Sequence, residues 1–404
     1  MKTFLKRTLF AFFSILFIPL KKFVPKGNII ILGGSSRYNY KDNTRYLIEY
    51  LHLKGMTGLY WVTDCIEIKA HLDHLGIEHI GWKSPFKMLW ISLRARIVID
   101  TGNNFFNPFD IMSSHKSIKI STMHGNGPKV AVSRFHPPDN HKIGLQQIQQ
   151  MYAFDHVNYP SSYSSSQIGK RVHLLPDQKI ISLGYPRCDQ YFDVSYVESR
   201  YKEKKVATSM CSLVNETSKV ILYTPTWRPY DYDFPLSLMS GFDLEVFDKW
   251  LEINDAFFFF SIHTAQKPKN IPENLKNIIN IDSNLPFYDT NEFLLEVDVL
   301  LNDYSTTSTD FAILNRPQLF FMPDYDYYKE DCGFVEEYNQ VLSGKEVKSQ
   351  KELINSLEYI FLNKDAYLQK YQDKTRELLD KYYDVSQQNA SKNFHSFIED
   401  LLNT

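Results

Sequence analysis

The chain is poor in cysteine, carries no marked excess of charge of either sign, and contains no apolar run long enough to cross a membrane. It has four cysteines in 404 residues, and no two of them show the C-x-x-C spacing of zinc or redox sites. We therefore expect reduced thiols in the cytoplasm. The formal net charge of −2 argues against a nucleic-acid partner, which would require a basic field. The histidines include no H-E-x-x-H pattern, so we expect no bound metal.

What the chain does contain is enough apolar sequence for more than one core. A length of 404 residues exceeds one ordinary core, and a hydrophobic content of 43% excludes a mainly disordered chain. Two domains are the first expectation.

Residues 8–20 form an uncharged, largely apolar run with cations on both sides. The flanking cations are Lys2, Lys6, Arg7, Lys21, Lys22 and Lys26. Thirteen helical residues span about 20 Å, which is less than the roughly 30 Å hydrocarbon core of a bilayer. A short signal anchor and a packed helix are two alternatives. The charge pattern favours a helix lying in the membrane interface, with its cations on anionic headgroups.

Short β-type runs alternate with helical patterns in both halves of the chain. The predicted strands are 28–32, 59–63, 77–80, 97–100 and 118–122 in the first half, and 220–223, 257–262, 297–301 and 318–322 in the second. Predicted helices include 44–53 and 85–94, then 351–361, 366–382 and 390–402 near the C-terminus. This alternation predicts two parallel sheets with right-handed crossovers.

The resulting division has four parts. We expect a membrane-associating helix at 1–26, a first α/β lobe at 27–190, a second at 191–349 and C-terminal helices at 350–404. A charged, helical stretch at 189–216 is expected to link the lobes.

Four polar clusters follow predicted strands at the point where each strand ends. They are His124-Gly125 with Lys129 after 118–122, Arg228 after 220–223, His263 after 257–262, and Asp303, Ser305, Thr306, Thr307 and Asp310 after 297–301. Ligands of parallel sheets bind beyond the carboxyl ends of the strands, so these clusters predict one shared site. The last cluster has the pattern of a strand, a turn and the start of a helix, and such a turn favours binding of an anion such as phosphate.

Each cluster also has a structural interpretation that the residues alone leave open. Ser and Thr hydroxyls commonly cap helix N-termini. The loop of His124 could be an ordinary surface loop, and Arg228 could form a salt bridge. His263, at the end of an apolar strand, could be a buried and hydrogen-bonded side chain. The strand-end position common to all four clusters favours a ligand site.

Six segments, in order, resemble motifs of the CDP-glycerol glycerophosphotransferases of teichoic acid and capsule synthesis, a family of primases and polymerases. They are DNTRYL at 42–47, HGNGPK at 124–129, GYPRCD at 184–189, YTPTWR at 223–228, SIH at 261–263 and DYSTTSTDF at 303–311. The sequence departs from the family pattern at three places. Asn126-Gly127-Pro128 stands where the family has Thr-Pro-Leu, Cys188 replaces an Asn, and Cys332 replaces an Arg before Gly-Phe.

The resemblance implies a GT-B architecture, with two Rossmann-like lobes and an active site in the cleft between them. The donor, CDP-glycerol or CDP-ribitol, would be held mainly by the second lobe, and an acceptor hydroxyl would displace CMP. His124 would be the general base. His263, Arg228 and residues 305–307 would stabilise the phosphates. Asp303 or Asp310 would orient the donor, and Gly125 and Lys129 would contact the acceptor side.

The resemblance also implies the partners. We expect a lipid-linked saccharide or growing polymer as acceptor at the cytoplasmic face of the membrane, no cofactor, no metal and no nucleic acid, with a homo-oligomer left open. The residues do not distinguish glycerol from ribitol, or addition of one unit from addition of many. The alternatives are a GT-B glycosyltransferase that uses a nucleotide sugar, and a non-catalytic membrane-bound scaffold.

Overall fold

The computed structural model describes residues 23–34, 36–101, 117–130, 151–192, 214–215, 217–226, 235–261, 275–281, 285–384 and 389–403. The predicted interfacial helix at 1–26 therefore lies almost wholly outside the described residues, as do most of the predicted link at 189–216, Arg228 and His263. No helix in these ranges is both long and apolar enough to cross a bilayer.

The first lobe is built on a seven-stranded parallel sheet. Its strands are β1 (Ile30–Leu32), β2 (Leu59–Val62), β3 (Glu78–Ile80), β4 (Ile97–Asp100), β5 (Ile118–Ser121), β6 (His156–Asn158) and β7 (Ile180–Ile181), in the order β3-β2-β1-β4-β5-β6-β7. Its helices are α1 (Asp42–Leu53), α2 (Ile66–Leu75), α3 (Pro85–Arg94), the short α4 (Ser162–Ser164) that continues into a π-helix (Ser165–Val172), and α5 (Asp189–Phe192).

The second lobe repeats this plan with six parallel strands. They are β8 (Lys219–Thr224), β9 (Ala256–Phe260), β10 (Ile278–Asn280), β11 (Val299–Asn302), β12 (Gln318–Phe320) and β13 (Lys345–Glu346), in the order β10-β9-β8-β11-β12-β13. The helices that follow β8 in the chain are α6 (Leu244–Ile253), α7 (Thr290–Phe293), α8 (Thr307–Ile313), α9 (Tyr325–Asp331), α10 (Gln350–Leu362), α11 (Lys364–Tyr382) and α12 (Ala390–Asn403).

Local sequence explains where several helices begin and end. The Asp243 carboxylate accepts from the N–H groups of Glu245 and Val246 and caps α6. Ser349 accepts from Glu352 N–H, while the Glu352 carboxylate accepts from Lys348 N–H, a reciprocal arrangement that starts α10. These contacts satisfy N–H groups that the first helical turn cannot pair internally.

In each sheet the direction of the strand order reverses at one place, and ligand sites of open parallel sheets lie at such a place. The reversal lies between β1 and β4 in the first sheet and between β8 and β11 in the second. Segments that leave the carboxyl ends at such a reversal are the usual ligand contacts of open parallel sheets. In this chain they include the residues after Asp100, Thr224 and Asn302.

The last helices join the two lobes. Tyr382, at the end of α11, belongs to an apolar cluster that also contains Tyr185 of the first lobe and Phe293 of the second. The side chains of Phe394 and Ile398 on α12 are fully buried in the core of the first lobe. The chain thus returns from the second lobe to pack on the first, and these helices contact both lobes.

The predicted fold class of two parallel α/β lobes is confirmed by these sheets. Every strand predicted from an apolar run is present within two residues at each end, and helix 85–94 is reproduced without change. β6, β7, β10 and β13 were not predicted. Each has two or three residues, too few to show a periodic pattern.

Candidate active site

Ser305, Thr306 and Thr307 form a turn, here called the hydroxyl turn, that connects β11 to α8. The side-chain amide of Asn302 donates to the Ser305 carbonyl at 3.0 Å. The Ser305 hydroxyl accepts from Thr307 N–H at 3.3 Å, so part of the capping interpretation is correct. All three turn residues are half-buried, which leaves the turn partly open to solvent. The predicted order of strand, turn and helix is confirmed.

Asp303 precedes the hydroxyl turn and ties β11 to β8. Its side chain has no exposed surface. Both carboxylate oxygens accept from Thr226 N–H at 3.0 Å, and one also accepts from the Thr226 hydroxyl at 2.7 Å. Tyr304 N–H adds a further contact at 2.5 Å. Asp303 therefore shapes the strand ends, and its contact with a donor stays a prediction.

Residues 124–129, here called the His124 loop, approach the hydroxyl turn from the other lobe. A carbon added to Gly125 would lie 3.4 Å from Thr306 Oγ1, and one added to Gly127 would lie 3.2 Å from Thr306 Cγ2. The far end of the loop pairs with the second lobe, since Lys129 forms an antiparallel bridge with Phe334. Two strand-end clusters that the sequence placed in separate lobes are therefore neighbours.

Asn126 anchors the His124 loop. Its side-chain oxygen accepts from the Ser164 hydroxyl at 2.6 Å, and its side-chain nitrogen donates to the Tyr382 carbonyl. Its own carbonyl accepts from the Thr309 hydroxyl on α8. Asn126 is one of the departures from the family pattern, and these buried contacts explain how the altered loop keeps a defined shape.

The His124 imidazole stands at the edge of this loop. Its Nδ1 lies 3.4 Å from the Thr101 carbonyl, a contact that favours a proton on Nδ1 and leaves Nε2 as the acceptor. Although the residue is solvent-accessible, loss of hydration among surrounding protein atoms is the largest influence and lowers the pKa of His124 below 6.5. The Asp42 carboxylate opposes this shift, whereas Arg187 and Lys129 add to it. A neutral imidazole near pH 7 follows.

Asp310 lies on α8 but does not face the open side of the hydroxyl turn. Its Oδ2 accepts from Arg187 NH2 at 2.9 Å and Nε at 3.2 Å. Its Oδ1 accepts from the Tyr383 hydroxyl. Burial raises the pKa of Asp310, and Arg187 counteracts that effect. The carboxylate is 4% exposed, so its predicted contact with a donor would require these partners to move.

Arg228 and His263 lie outside the described residues, so their predicted roles stay predictions. The strands that precede them end at the same edge, because β8 pairs in parallel with both β9 and β11. In this register Tyr223 is opposite Phe260, and Thr224 is opposite Asn302.

Sequence reasoning overlooked the contribution of Asn43 and Arg187 to this region. The Asn43 amide donates to the Met123 carbonyl at 2.8 Å, and its oxygen accepts from Arg187 N–H at 3.2 Å. Both residues lie in segments that carried the family resemblance, at 42–47 and 184–189. The motifs were visible, but nothing in their spacing indicated that they meet beneath the His124 loop.

No group of three or more His, Cys, Asp or Glu in the described ranges is placed to hold a metal ion. Residues 227–234 and 262–274 are not among them, so independence from metal stays a prediction.

Two parallel-sheet lobes whose strand-end loops meet define a GT-B-like fold. The structure of the wall teichoic acid polymerase TagF has this fold, with a TM-score of 0.73 at 20% identity over 98% of this chain and 93% of that chain. The family model described as CDP-Glycerol:Poly(glycerophosphate) glycerophosphotransferase matches residues 16–400, and the chain belongs to this family.

Two relatives match over most of their length. One is a teichoic acid glycerol-phosphate primase of Bacillus subtilis, 25% identical over 320 residues, 78% of this chain and 76% of the relative. Another is a teichoic acid glycerol-phosphate transferase of Staphylococcus aureus, 26% identical over 368 residues, 86% of this chain and 87% of the relative.

Proposed function

We propose that this chain transfers glycerol phosphate from CDP-glycerol to a hydroxyl of a lipid-linked acceptor or growing polymer and releases CMP. The observation that carries the proposal is the meeting of the His124 loop of the first lobe with the hydroxyl turn of the second. One side supplies a base near neutrality, and the other supplies hydroxyl donors for phosphate oxygens. Family membership supports the same reaction.

The reaction needs one proton transfer and one displacement at phosphorus. His124 Nε2 takes the proton of the acceptor hydroxyl as its oxygen bonds to the phosphorus that carries glycerol. The bond from that phosphorus to the bridging oxygen breaks, and the electron pair leaves with CMP. Negative charge develops on the phosphoryl oxygens, so positioned donors lower the barrier. The hydroxyl turn, Lys129 and the predicted pair Arg228 and His263 would provide them.

The first test is CMP release by the purified full chain with detergent-solubilised lipid-linked acceptors. We expect turnover with CDP-glycerol. Turnover with CDP-ribitol alone would move the proposal to the other polyol, and turnover only with nucleotide sugars would replace it by a glycosyltransferase. A folded protein that is silent with every donor and a range of acceptors would favour the scaffold interpretation.

We also propose that α3 faces the membrane that carries the acceptor. Its outer side presents Phe86 and Trp90, which are 87% and 54% exposed, beside Trp82 at 36%. The opposite side buries Met88 and Ile91 in the sheet-packing cluster. Exposed aromatic rings on one side of an amphipathic helix are typical of a membrane-interface element.

Residues 23–26, which follow the N-terminal apolar run, lie beside this helix. Lys26 Nζ donates to the carbonyls of Leu93 and Ala95 at 3.2 and 2.5 Å, which ties residue 26 to the end of α3. Phe23 is 79% exposed on the same stretch. The predicted interfacial segment and α3 would therefore contact one lipid surface together.

Replacing Phe86 and Trp90 together by serine should weaken binding to anionic phosphatidylglycerol vesicles about thirtyfold, because each ring contributes on the order of 1 kcal/mol when it is transferred from water. Vesicle sedimentation measures this change. A matched double variant, Ile253→Ser with Leu362→Ser, removes two apolar side chains that are 75% and 83% exposed on the second lobe and should bind like wild type. Equal binding by all three proteins would contradict the assignment of α3.

A further inference from the structure

We propose that Arg187 is a positioning residue that fixes the His124 loop and the hydroxyl turn relative to one another. The expected effects on catalysis rest on the proposed function, whereas the contacts of Arg187 do not depend on it. Arg187 lies in a short 3₁₀ helix, Pro186–Cys188, that precedes α5 in the first lobe. Neither composition nor motif spacing assigns it a task.

One guanidinium joins three structural units. Its NH1 donates to the carbonyl of His124 at 2.7 Å and to Asp42 Oδ1 at 2.8 Å. Its Nε and NH2 donate to Asp310 Oδ2 on α8 of the second lobe. The same side chain therefore contacts the residue of the candidate base and the helix that follows the hydroxyl turn.

The contact is buried and charged. The Arg187 side chain is 2% exposed, that of Asp310 is 4% exposed and that of Asp42 is 18% exposed. The guanidinium also lies over the ring of Tyr185, 4.6 Å from its centroid. A buried ion pair gains its specificity from geometry, since several acceptors must be satisfied at once.

Two neighbouring contacts also join the first lobe to the second. Arg45 NH1 on α1 donates to Glu292 on α7 at 2.9 Å, and Asp42 N–H donates to Asp289 at 3.0 Å. Asp42 has a left-handed backbone, with φ of 67°, at the start of α1. The lobes are thus joined by a row of polar contacts, and in this row the Arg187 contact is the one that includes His124.

Lysine cannot replace this arrangement. A guanidinium presents five N–H groups in a planar fork, whereas an ammonium has three donors on a single atom. The three acceptors of Arg187 lie in different directions, so a lysine would retain the charge but lose the geometry. This difference separates a positioning role from a general need for positive charge.

The charges of this cluster also act on the imidazole. The groups that face His124 are the Asp42 carboxylate, the Arg187 guanidinium, the Lys129 ammonium, the Thr101 carbonyl and His173. Burial lowers the pKa of His173 to about 4, so it is neutral near pH 7. Asp42 raises the pKa of His124 and Arg187 lowers it. Removing either charge should therefore move the titration of His124, in opposite directions.

The experiment compares Arg187→Lys, Arg187→Gln and Asp42→Asn with wild type in CMP release from CDP-glycerol, between about pH 5 and pH 9. We expect Arg187→Lys to lower kcat about a hundredfold, with the donor KM within about threefold, because the loops are misplaced. The acidic limb of kcat/KM should move to higher pH in Arg187→Gln and to lower pH in Asp42→Asn. In Arg187→Lys, which keeps the charge, the limb should stay near that of wild type.

The matched control is Arg376→Gln, which removes an exposed arginine paired with Asp373 on α11 and should behave like wild type. A purely structural Arg187 would lower the thermal midpoint while the folded protein kept its kcat and its pH profile. If Arg187→Gln does not fold, the double variant Arg187→Gln with Asp310→Asn removes the Asp310 charge that would otherwise be buried without a partner. Asp42→Asn then tests the effect of a neighbouring charge on the pKa of His124 while Arg187 stays in place. A normal kcat in Arg187→Lys, or unmoved limbs in both charge variants, would overturn the proposal.

Hydrogen exchange provides a readout that does not depend on activity. Peptides that cover residues 117–130 should exchange faster in Arg187→Lys than in wild type, because the His124 carbonyl loses its donor. A wild type without CMP release would defeat the proposed function and leave this exchange as the test of positioning. Unchanged exchange in Arg187→Lys would defeat the positioning role.

Discussion

Replacing His124 by alanine is expected to lower kcat for CMP release by about a hundredfold to ten-thousandfold, the usual contribution of a positioned general base. In the proposed mechanism, the acceptor hydroxyl then loses the group that takes its proton, while the hydroxyl turn would still hold the donor. The KM for CDP-glycerol should change little, because Nε2 would act on the acceptor side. Steady-state CMP release at saturating donor measures the effect.

The exposed His74 on α2 supplies a matched control, and His74→Ala should retain wild-type turnover. The pH profile gives a second check. A base works in its neutral form, so activity falls as pH drops through its pKa. Since loss of hydration lowers the pKa of His124, the acidic limb of wild-type kcat/KM should lie below pH 6.5. Retention of turnover in His124→Ala, or a limb well above that value, would rule out His124 as the base.

Replacing Asp303 by alanine is expected to cost about 3–5 kcal/mol of stability, because buried donors lose a charged acceptor. Thr226 would lose the acceptor for both its N–H and its hydroxyl, and Tyr304 N–H would lose its contact. For lobes of this size the change corresponds to a fall of about 10 °C in the thermal midpoint of the second lobe. Differential scanning calorimetry measures it.

The surface cap Asp243 is a suitable comparison, since it also accepts from two backbone N–H groups but is exposed. Asp243→Ala should cost only about 1 kcal/mol. Similar losses in the two variants would show that burial of Asp303 adds nothing. A normal thermal midpoint in Asp303→Ala would refute its role in holding β8 to β11.

The features that were predicted correctly depend on local sequence, whereas the features that were missed depend on contacts between segments far apart in the chain. Apolar runs predicted the central strands, and the strand that ends at Asn302 leads into the predicted turn and helix. The short strands β6 and β13 escaped prediction because they are defined by pairing with a neighbour and not by their own composition.

In the candidate site, too, local patterns indicated some residues and long-range contacts were missed. Strand-end position indicated His124 and the hydroxyl turn, because parallel strands carry their carboxyl ends to one edge. Asp310 was predicted to orient a donor, since a carboxylate after a hydroxyl-rich turn is typical of a polar site. Its partner Arg187 lies more than a hundred residues away in the chain, so no local pattern could reveal that pairing.

The sequence by itself determined the two parallel lobes, the sheet edge at which the predicted site residues lie, and the family to which the chain belongs, because periodicity and short motifs are local properties. Only the tertiary structure decided that the His124 loop touches the hydroxyl turn and that Arg187 bridges Asp42, His124 and Asp310. The approach to Thr306 and the contact with Asp310 join segments from different lobes. Their free energy depends on burial and mutual orientation, which arise only when the two lobes pack together with α11 and α12.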